Sequence, residues 1–169
     1  MSAAITFFDR LCLSLAWLSG LIAFAVMAVT FTGVAMRYGL RSPLMGGFEM
    51  IEIGMGLIVF SALPLMVRRR GNIIVTIVIE RLPPVLVRTA SVSSDLVGAA
   101  LVAFVSWRVW LQGERLLTYN EVTMELRVPK GLIAQSMAIF LAVTAIAFLL
   151  CAIESFRQDR SATASGGAL

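Results

Sequence analysis

Histidine is absent from all 169 residues of this sequence. Without an imidazole, the chain has no bis-histidine haem site, no histidine-ligated zinc site and no catalytic triad with histidine as the base. No other nucleophile and base stand in an arrangement typical of catalysis. The sequence therefore predicts a protein that is not an enzyme and that binds no cofactor.

Charged side chains are also scarce, at 14% of the residues, whereas hydrophobic residues make up 59% and the mean hydropathy is +0.92. A soluble domain does not carry so apolar a composition. The net charge of +4 comes from arginines beside the apolar runs, where such side chains reach toward lipid phosphates. We therefore expect an integral membrane protein in contact with lipid and without a nucleic-acid partner.

Only two cysteines are present, Cys12 and Cys151. They lie on the same side of the membrane if the chain crosses it four times, but the sequence does not fix their separation. Buried cysteine commonly behaves as a small apolar residue. The sequence supports no disulfide between them, and we expect both to be small buried residues.

Long apolar runs predict four membrane-spanning helices, since about 20 apolar residues cross a bilayer core of about 30 Å. Two runs, Leu11 to Met36 and Gly131 to Ile153, contain no charge. Two shorter runs, Ile53 to Val67 and Leu96 to Trp107, reach spanning length only with the charged residues beside them. The first run is longer than the apolar core of a signal peptide, so we expect it to remain as an anchor. We predict one all-α membrane domain over residues 1–156, with helices at about 11–36, 45–67, 85–110 and 129–153.

The segment between the second and third helices, GNIIVTIVIERLPP, is the hardest to assign. Its β-branched run favours a strand by propensity, but an isolated strand beside a bilayer leaves its backbone groups unpaired. We therefore predict a short amphipathic helix in the interface at about 76–82, capped by Thr76 and ended by the two prolines. The polar composition of residues 157–169 predicts a disordered tail.

The densest basic block, Arg68-Arg69-Arg70, directly follows the second apolar run. Basic residues beside a helix end favour the cytoplasmic side of the membrane, and the arginines of the opposite loops are interspersed with glutamates. We therefore predict that both termini lie in the cytoplasm and that these three arginines mark the cytoplasmic boundary.

Asp95 is the one acid that approaches the hydrocarbon interior in this arrangement. A charge at the bilayer centre costs about 2.5–3.5 kcal/mol or more, so an acid there usually has a function such as an ion relay. Ser91, Ser93 and Ser94 make its surroundings polar, and Arg88 stands close before it. We favour a position at the membrane boundary over a relay.

Several short motifs follow one another in an order that resembles one membrane family. They are Arg37-Tyr38 at the end of the first helix, then RSPLMGGFEMIEI, LIVFSALPLMVRRRGNIIV, ERLPP and EVTMELRVPKG. Together they resemble the small permease subunit of tripartite ATP-independent periplasmic (TRAP) transporters, the DctQ family. The resemblance covers nearly the whole chain, residues 5 to 156.

The resemblance implies a chain that functions only within a complex of a bacterial inner membrane. The implied partners are a large membrane subunit, which carries the substrate and sodium sites, and a periplasmic solute-binding protein, which delivers a substrate that is typically an organic acid. The chain departs from the family pattern glycine-histidine-isoleucine-x-valine-aspartate, because Asn72 and Thr76 replace the histidine and the aspartate. Threonine keeps a helix-capping type, whereas the contact of the missing histidine stays open.

Glu49 and Glu52 stand three residues apart at the entrance of the second apolar run, so they share one face of a helix. The positive end of the helix dipole favours acids there, and Arg37 and Arg41 lie just across the hairpin. We expect an ion-pair cluster that either only fixes the hairpin or also contacts the large subunit or the binding protein. The candidate residues for a partner interface are Arg37, Tyr38, Glu49, Glu52 and Pro129.

Two functions remain open from the sequence. The first is a scaffold subunit that braces the large permease subunit, and the second is a small autonomous proton-coupled exporter or channel. A coupled exporter needs an acid near mid-membrane, whereas a scaffold leaves its acids at the two boundaries. Glu49 and Glu52 lie at an edge, and no pair of broken helices repeats along the chain, so we favour the scaffold.

Overall fold

Four α-helices make up most of the chain in a computed structural model. It describes the backbone of residues 2–39, 41, 44–69 and 84–166, and the side chains of residues 5–39, 41, 44–69 and 92–154. The helices are α1 (Ser2–Gly39), α2 (Gly47–Arg68), α3 (Pro84–Thr118) and α4 (Lys130–Gly166). Each contains a segment long and apolar enough to cross a membrane: Ile5–Gly39, Gly47–Arg68, Val92–Thr118 and Lys130–Glu154. The predicted class, an all-α membrane protein with four spanning helices, is confirmed.

The helices extend beyond the predicted spans. α1 begins at Ser2 and α3 continues to Thr118, because a helix does not have to end where the hydrocarbon ends. α4 continues to Gly166, whereas the composition of residues 157–169 predicts disorder. The residues that follow the apolar part of α4 include alanine, arginine and glutamine and no proline, so their propensity permits the helix to continue.

The predicted interfacial helix at about 76–82, with its cap Thr76, lies outside the described residues. The same is true of Arg70, the last residue of the basic block. The description resumes at Pro84, where α3 begins.

The helices pack as a row in the order α1, α2, α4, α3. α2 packs against α1 on one side and α4 on the other, and α3 packs against α4. The row therefore consists of an α1–α2 hairpin and an α3–α4 hairpin that meet along one line, the seam between α2 and α4. We call the end at which α1 begins and α4 leaves its span the terminal end, and the opposite end, where each hairpin turns, the loop end.

Small residues let the two helices of each hairpin approach closely. A Cβ on Gly54 would lie 2.3 Å from Cγ2 of Val26, so α1 and α2 touch at this glycine. Ser19 Oγ donates a hydrogen bond of 3.1 Å to the carbonyl of Ile58 across the same contact. Such short approaches and side-chain hydrogen bonds are typical of helix association within lipid.

In the α3–α4 hairpin the corresponding contact is a glycine pair. A Cβ on Gly131 would lie 2.6 Å from the carbonyl oxygen of Gly113 and 2.5 Å from Cγ of Leu117. Further along the pair, Ser106 Oγ donates a hydrogen bond of 2.8 Å to the carbonyl of Ala138. The two helices therefore cross with backbone nearly against backbone at the loop end.

Candidate functional site

Arg68, the last residue of α2, binds acids from two other helices at the terminal end. Its Nε donates to Oδ1 of Asp9 on α1 at 2.5 Å. Its Nη1 and Nη2 donate to the two carboxylate oxygens of Glu154 on α4, each at 2.7 Å. A bidentate pair of this kind is among the stronger ionic contacts in proteins. We call Asp9, Arg68 and Glu154 the Arg68 clamp, and it joins three of the four helices.

The cation of the clamp is more deeply buried than its acids. The side chain of Arg68 is 11% exposed, against 46% for Asp9 and 37% for Glu154. A charge removed from water in this way needs a counter-charge close by, and the two carboxylates supply it. Beside them, Cys151 Sγ lies 3.9 Å from Nη1 of Arg68. Cys12 and Cys151 are both buried free thiols, so they pack as small side chains under the clamp.

Glu49, in the first turn of α2, binds the loop between α3 and α4 at the loop end. Its Oε1 and Oε2 accept hydrogen bonds from the backbone N–H groups of Glu125 and Leu126, both at 2.9 Å. In return, the carboxylate of Glu125 accepts a hydrogen bond from the N–H of Gly46. We call Gly46, Glu49, Glu125 and Leu126 the Glu49 clasp. Glu49 of α2 accepts hydrogen bonds from the backbone of the α3–α4 loop, and Glu125 of that loop accepts one from the backbone at the start of α2.

The loop presents its N–H groups because it is folded on itself. The N–H of Thr123 donates to the carbonyl of Val128, whose own N–H donates to Thr123 Oγ1, both at 3.0 Å. Gly46, the residue directly before α2, is the complementary feature on the other side of the contact. Its φ of +73° is left-handed, and a Cβ there would lie 2.8 Å from the side chain of Leu126. Both the backbone conformation and the space therefore require glycine at this position.

The clamp and the clasp lie at opposite ends of the same seam. Arg68 and Glu154 connect α2 to α4 at the terminal end, and the clasp connects α2 to the α3–α4 loop at the loop end. Between them Gly56 of α2 faces Met137 of α4, since a Cβ on Gly56 would lie 2.4 Å from Cε of Met137. Polar contacts thus fix the two hairpins at both ends, and apolar packing fills the middle.

Removing the Glu49 carboxylate tests the clasp. In Glu49→Ala the N–H groups of Glu125 and Leu126 lose their acceptor, so we expect amide hydrogen exchange of a peptide covering residues 119–129 to become several-fold faster. Hydrogen exchange with mass spectrometry on the purified chain measures this. Glu52→Ala is the matched control, since Glu52 is exposed on the same helix and outside the clasp. Equal exchange in wild type and Glu49→Ala would contradict the assignment.

The expected ion-pair cluster at the loop end does not form. Among the described side chains, neither Arg37 nor Arg41 pairs with Glu49 or Glu52. Glu49 is instead bound by the N–H groups of a distant loop, which offer two aligned donors. Arg37, Tyr38 and Arg41 are exposed at the end of α1 and in the turn that follows.

The other candidate interface and boundary residues lie at both ends of the row. Pro129 directly precedes α4 and forms an antiparallel bridge with Val122. At the terminal end, Arg68 is bound within the clamp, whereas Arg69 is exposed and its N–H bonds the carbonyl of Leu65. The role of these arginines in setting topology stays a prediction.

Sequence reasoning missed the acids that complete both contacts, namely Asp9, Glu125 and Glu154. A signal for the clamp was present. Arg68 and Glu154 each directly follow an apolar run, and Asp9 lies two residues before another. Because successive spanning helices run in opposite directions, these three charges lie at the same end of the helices, where they can reach one another. Glu125 had no comparable signal, because its role depends on the fold of the loop.

The chemistry of the described residues is that of structural contacts. They contain no group of three His, Cys, Asp or Glu side chains that can hold a metal ion. Asp95 lies three residues after Val92, the first residue of its span, and it interacts with its surroundings. The ionic groups that meet one another do so at the ends of the helices, where they connect elements.

Comparison with known proteins identifies a family for most of the chain. Residues 26–158 match the family model described as Tripartite ATP-independent periplasmic transporters, DctQ component. The match includes Arg68, Glu154 and all four residues of the Glu49 clasp, whereas Asp9 precedes it. No curated protein and no solved structure matches the chain.

Proposed function

The chain belongs to the DctQ component family of tripartite ATP-independent periplasmic transporters and is a small membrane subunit of such a transporter; we propose that it braces the large permease subunit during import of an organic acid. Bracing requires a body that keeps its shape while a partner moves. The observation that carries the proposal is the seam between the two hairpins, which polar contacts fix at both ends.

The placement of the acids supports bracing over autonomous transport. α4 carries no charge between Lys130 and Glu154, and α1 carries none between Arg10 and Arg37. The acids bound in the clamp and the clasp are engaged in fixed contacts at the helix ends, whereas a proton-coupled carrier needs an acid near the middle of a span. The described interior offers no such group on α1, α2 or α4.

The partners in this proposal are the large membrane subunit and a periplasmic solute-binding protein, and the process is a symport. We place the chain in the bacterial inner membrane with both termini in the cytoplasm, because Arg68 and Arg69 of the basic block lie at the terminal end. A fluorescent protein that folds only in the cytoplasm, fused after Leu169, is then expected to fluoresce. A dark but full-length fusion would reverse the orientation.

Co-purification tests the proposed assembly. When an affinity-tagged copy of this chain is co-expressed with the large subunit of its transporter, we expect the two to leave the membrane together in mild detergent at equal molar amounts. An unrelated tagged protein with four membrane spans serves as the control. Recovery of the tagged chain alone would contradict a role as a bracing subunit.

Reconstitution separates bracing from autonomous transport. Vesicles with this chain alone are expected to take up no organic acid, whereas vesicles with both membrane subunits and the binding protein are expected to take it up with a sodium gradient. Uptake or ion leak by the chain alone would support the exporter or channel instead.

A further inference from the structure

One face of α2 is left uncovered by both of its neighbours. The residues of α2 that pack inward include Gly47, Gly54 and Ser61, which repeat every seven positions. On a different face, large side chains are exposed along the length of the helix, from 87% exposure at Phe48 to 52% at Met66. We call this exposed face the α2 strip, and its residues are Phe48, Glu52, Met55, Val59 and Met66.

The α2 strip contains one charge, Glu52. Within the described part of the chain, its carboxylate has no hydrogen bond or ion pair, in contrast to Glu49 one turn earlier. α2 has 22 residues and is thus about 33 Å long, close to the thickness of the bilayer core of about 30 Å. Glu52 lies five residues into it, about 8 Å along the axis, and therefore lies inside the boundary of the hydrocarbon, well short of mid-membrane.

Acids at such a depth almost always face protein or a water-filled cavity and have a partner there. Glu52 instead points away from its own chain. The strip around it is also rich in methionine, which is common at interfaces because it adapts to the opposing surface. Met45 and Met124, which directly precede Gly46 and Glu125 of the Glu49 clasp in the chain, are almost fully exposed as well.

The outer face of α1 is also exposed, but its apolar part contains no charged side chain comparable to Glu52. It exposes an aromatic series with one ring every seven residues, Trp17, Phe24, Phe31 and Tyr38. No charge lies between Arg10 and Arg37. Lipid acyl chains can therefore cover that surface without leaving a charge unpaired. Charge complementarity favours the α2 strip over the outer face of α1, because a lipid tail cannot supply a donor to Glu52.

We propose that the α2 strip is the surface on which a membrane-spanning helix of the large permease subunit docks, with a lysine or arginine of that helix bound to Glu52. This inference rests on the proposed function, because it takes the large subunit as the partner. Glu49 and Glu52 then have separate roles. Glu49 orders the chain itself, and Glu52 binds the neighbouring subunit.

Substitution of Glu52 by leucine distinguishes a protein partner from lipid. If Glu52 binds the large subunit, the substitution weakens the association of the two subunits; if lipid covers the strip, the association is unchanged or stronger. The complex is purified through a tag on the small subunit, and the ratio of large to small subunit is measured after dilution in detergent. We expect Glu52→Leu to weaken the association roughly 3- to 20-fold, the range of interhelical polar contacts in membranes. Glu52→Gln, which keeps an acceptor, is expected to fall in between. Glu121→Leu, at an exposed loop acid outside the strip, is expected to change nothing.

A photo-crosslinking amino acid at Met55 or Val59 identifies what covers the strip. In the co-expressed complex we expect a covalent adduct that contains the large subunit from each position. An unchanged or increased recovery of the large subunit with Glu52→Leu would overturn the inference, and so would adducts with lipid alone. If the unsubstituted chain fails to recover any large subunit, the proposed function itself is overturned. The two failures are therefore distinguishable.

Discussion

Arg68→Ala is expected to lower the stability of the chain in detergent by about 1.5–3 kcal/mol, the range for hydrogen bonds to charged groups. The substitution leaves Asp9 and Glu154 without their common cation, at a point where three helices meet. The expected loss is smaller than for a fully buried pair, because both acids remain partly in contact with water. It exceeds the effect of a surface ion pair, because the guanidinium makes three hydrogen bonds to carboxylate oxygens from a nearly buried position.

Thermal or denaturant unfolding of the purified chain measures this effect. Arg69→Ala is the matched control, because Arg69 is the next residue, carries the same charge and is exposed. Arg68→Lys keeps the charge but not the bidentate geometry, and its stability is expected to lie between wild type and Arg68→Ala. Equal stability of the Arg68→Ala and Arg69→Ala variants would show that the clamp does not stabilise the fold.

Gly131→Ala is expected to destabilise the α3–α4 hairpin by about 1–3 kcal/mol, as overpacking of a close contact does. The added Cβ would lie 2.6 Å from the backbone oxygen of Gly113, which cannot move without shifting α3. The gain in helix propensity from glycine to alanine, up to about 1 kcal/mol, offsets only part of this loss.

Two further glycines turn this expectation into a graded series. Gly20→Ala on α1 is the matched control, since a Cβ there meets nothing within 4 Å, and it is expected to be neutral or slightly stabilising. Gly113→Ala is expected to be intermediate, because its closest contact is Cγ of the flexible Gln135 side chain at 2.9 Å. Unfolding measurements on the three variants check the order. A Gly131→Ala variant as stable as Gly20→Ala would show that α3 and α4 can move apart at this contact without a loss of stability.

The helices themselves were predictable because they depend on local composition. An apolar run of spanning length has no alternative to a helix within lipid, since every backbone group must be bonded inside the segment. The runs that gave α1 and α4 contain no charge, and they remain helical throughout. What composition did not set was where each helix ends outside the hydrocarbon, as the continuation of α4 to Gly166 shows.

The contacts between the helices were less predictable because they join residues far apart in the chain. Glu49 was expected to pair with the nearby Arg37 or Arg41, whereas it binds N–H groups of residues 125 and 126. Its acidic character at a helix start was evident from the sequence, but the shape of the loop whose N–H groups donate to it depends on the hydrogen bonds between Thr123 and Val128. The packing order of the row likewise depends on where the small residues of each helix meet.

The seam has a mechanical consequence. Two bodies that are joined at one point still rotate in any direction about that point, but bodies that are fixed at two distant points cannot slide and can turn only about the line that joins the points. The Arg68 clamp and the Glu49 clasp are such points, separated by the length of α2. Loss of either contact alone is therefore expected to leave both hairpins inserted but held by a polar contact at one end only, so the chain becomes less stiff while it keeps every helix.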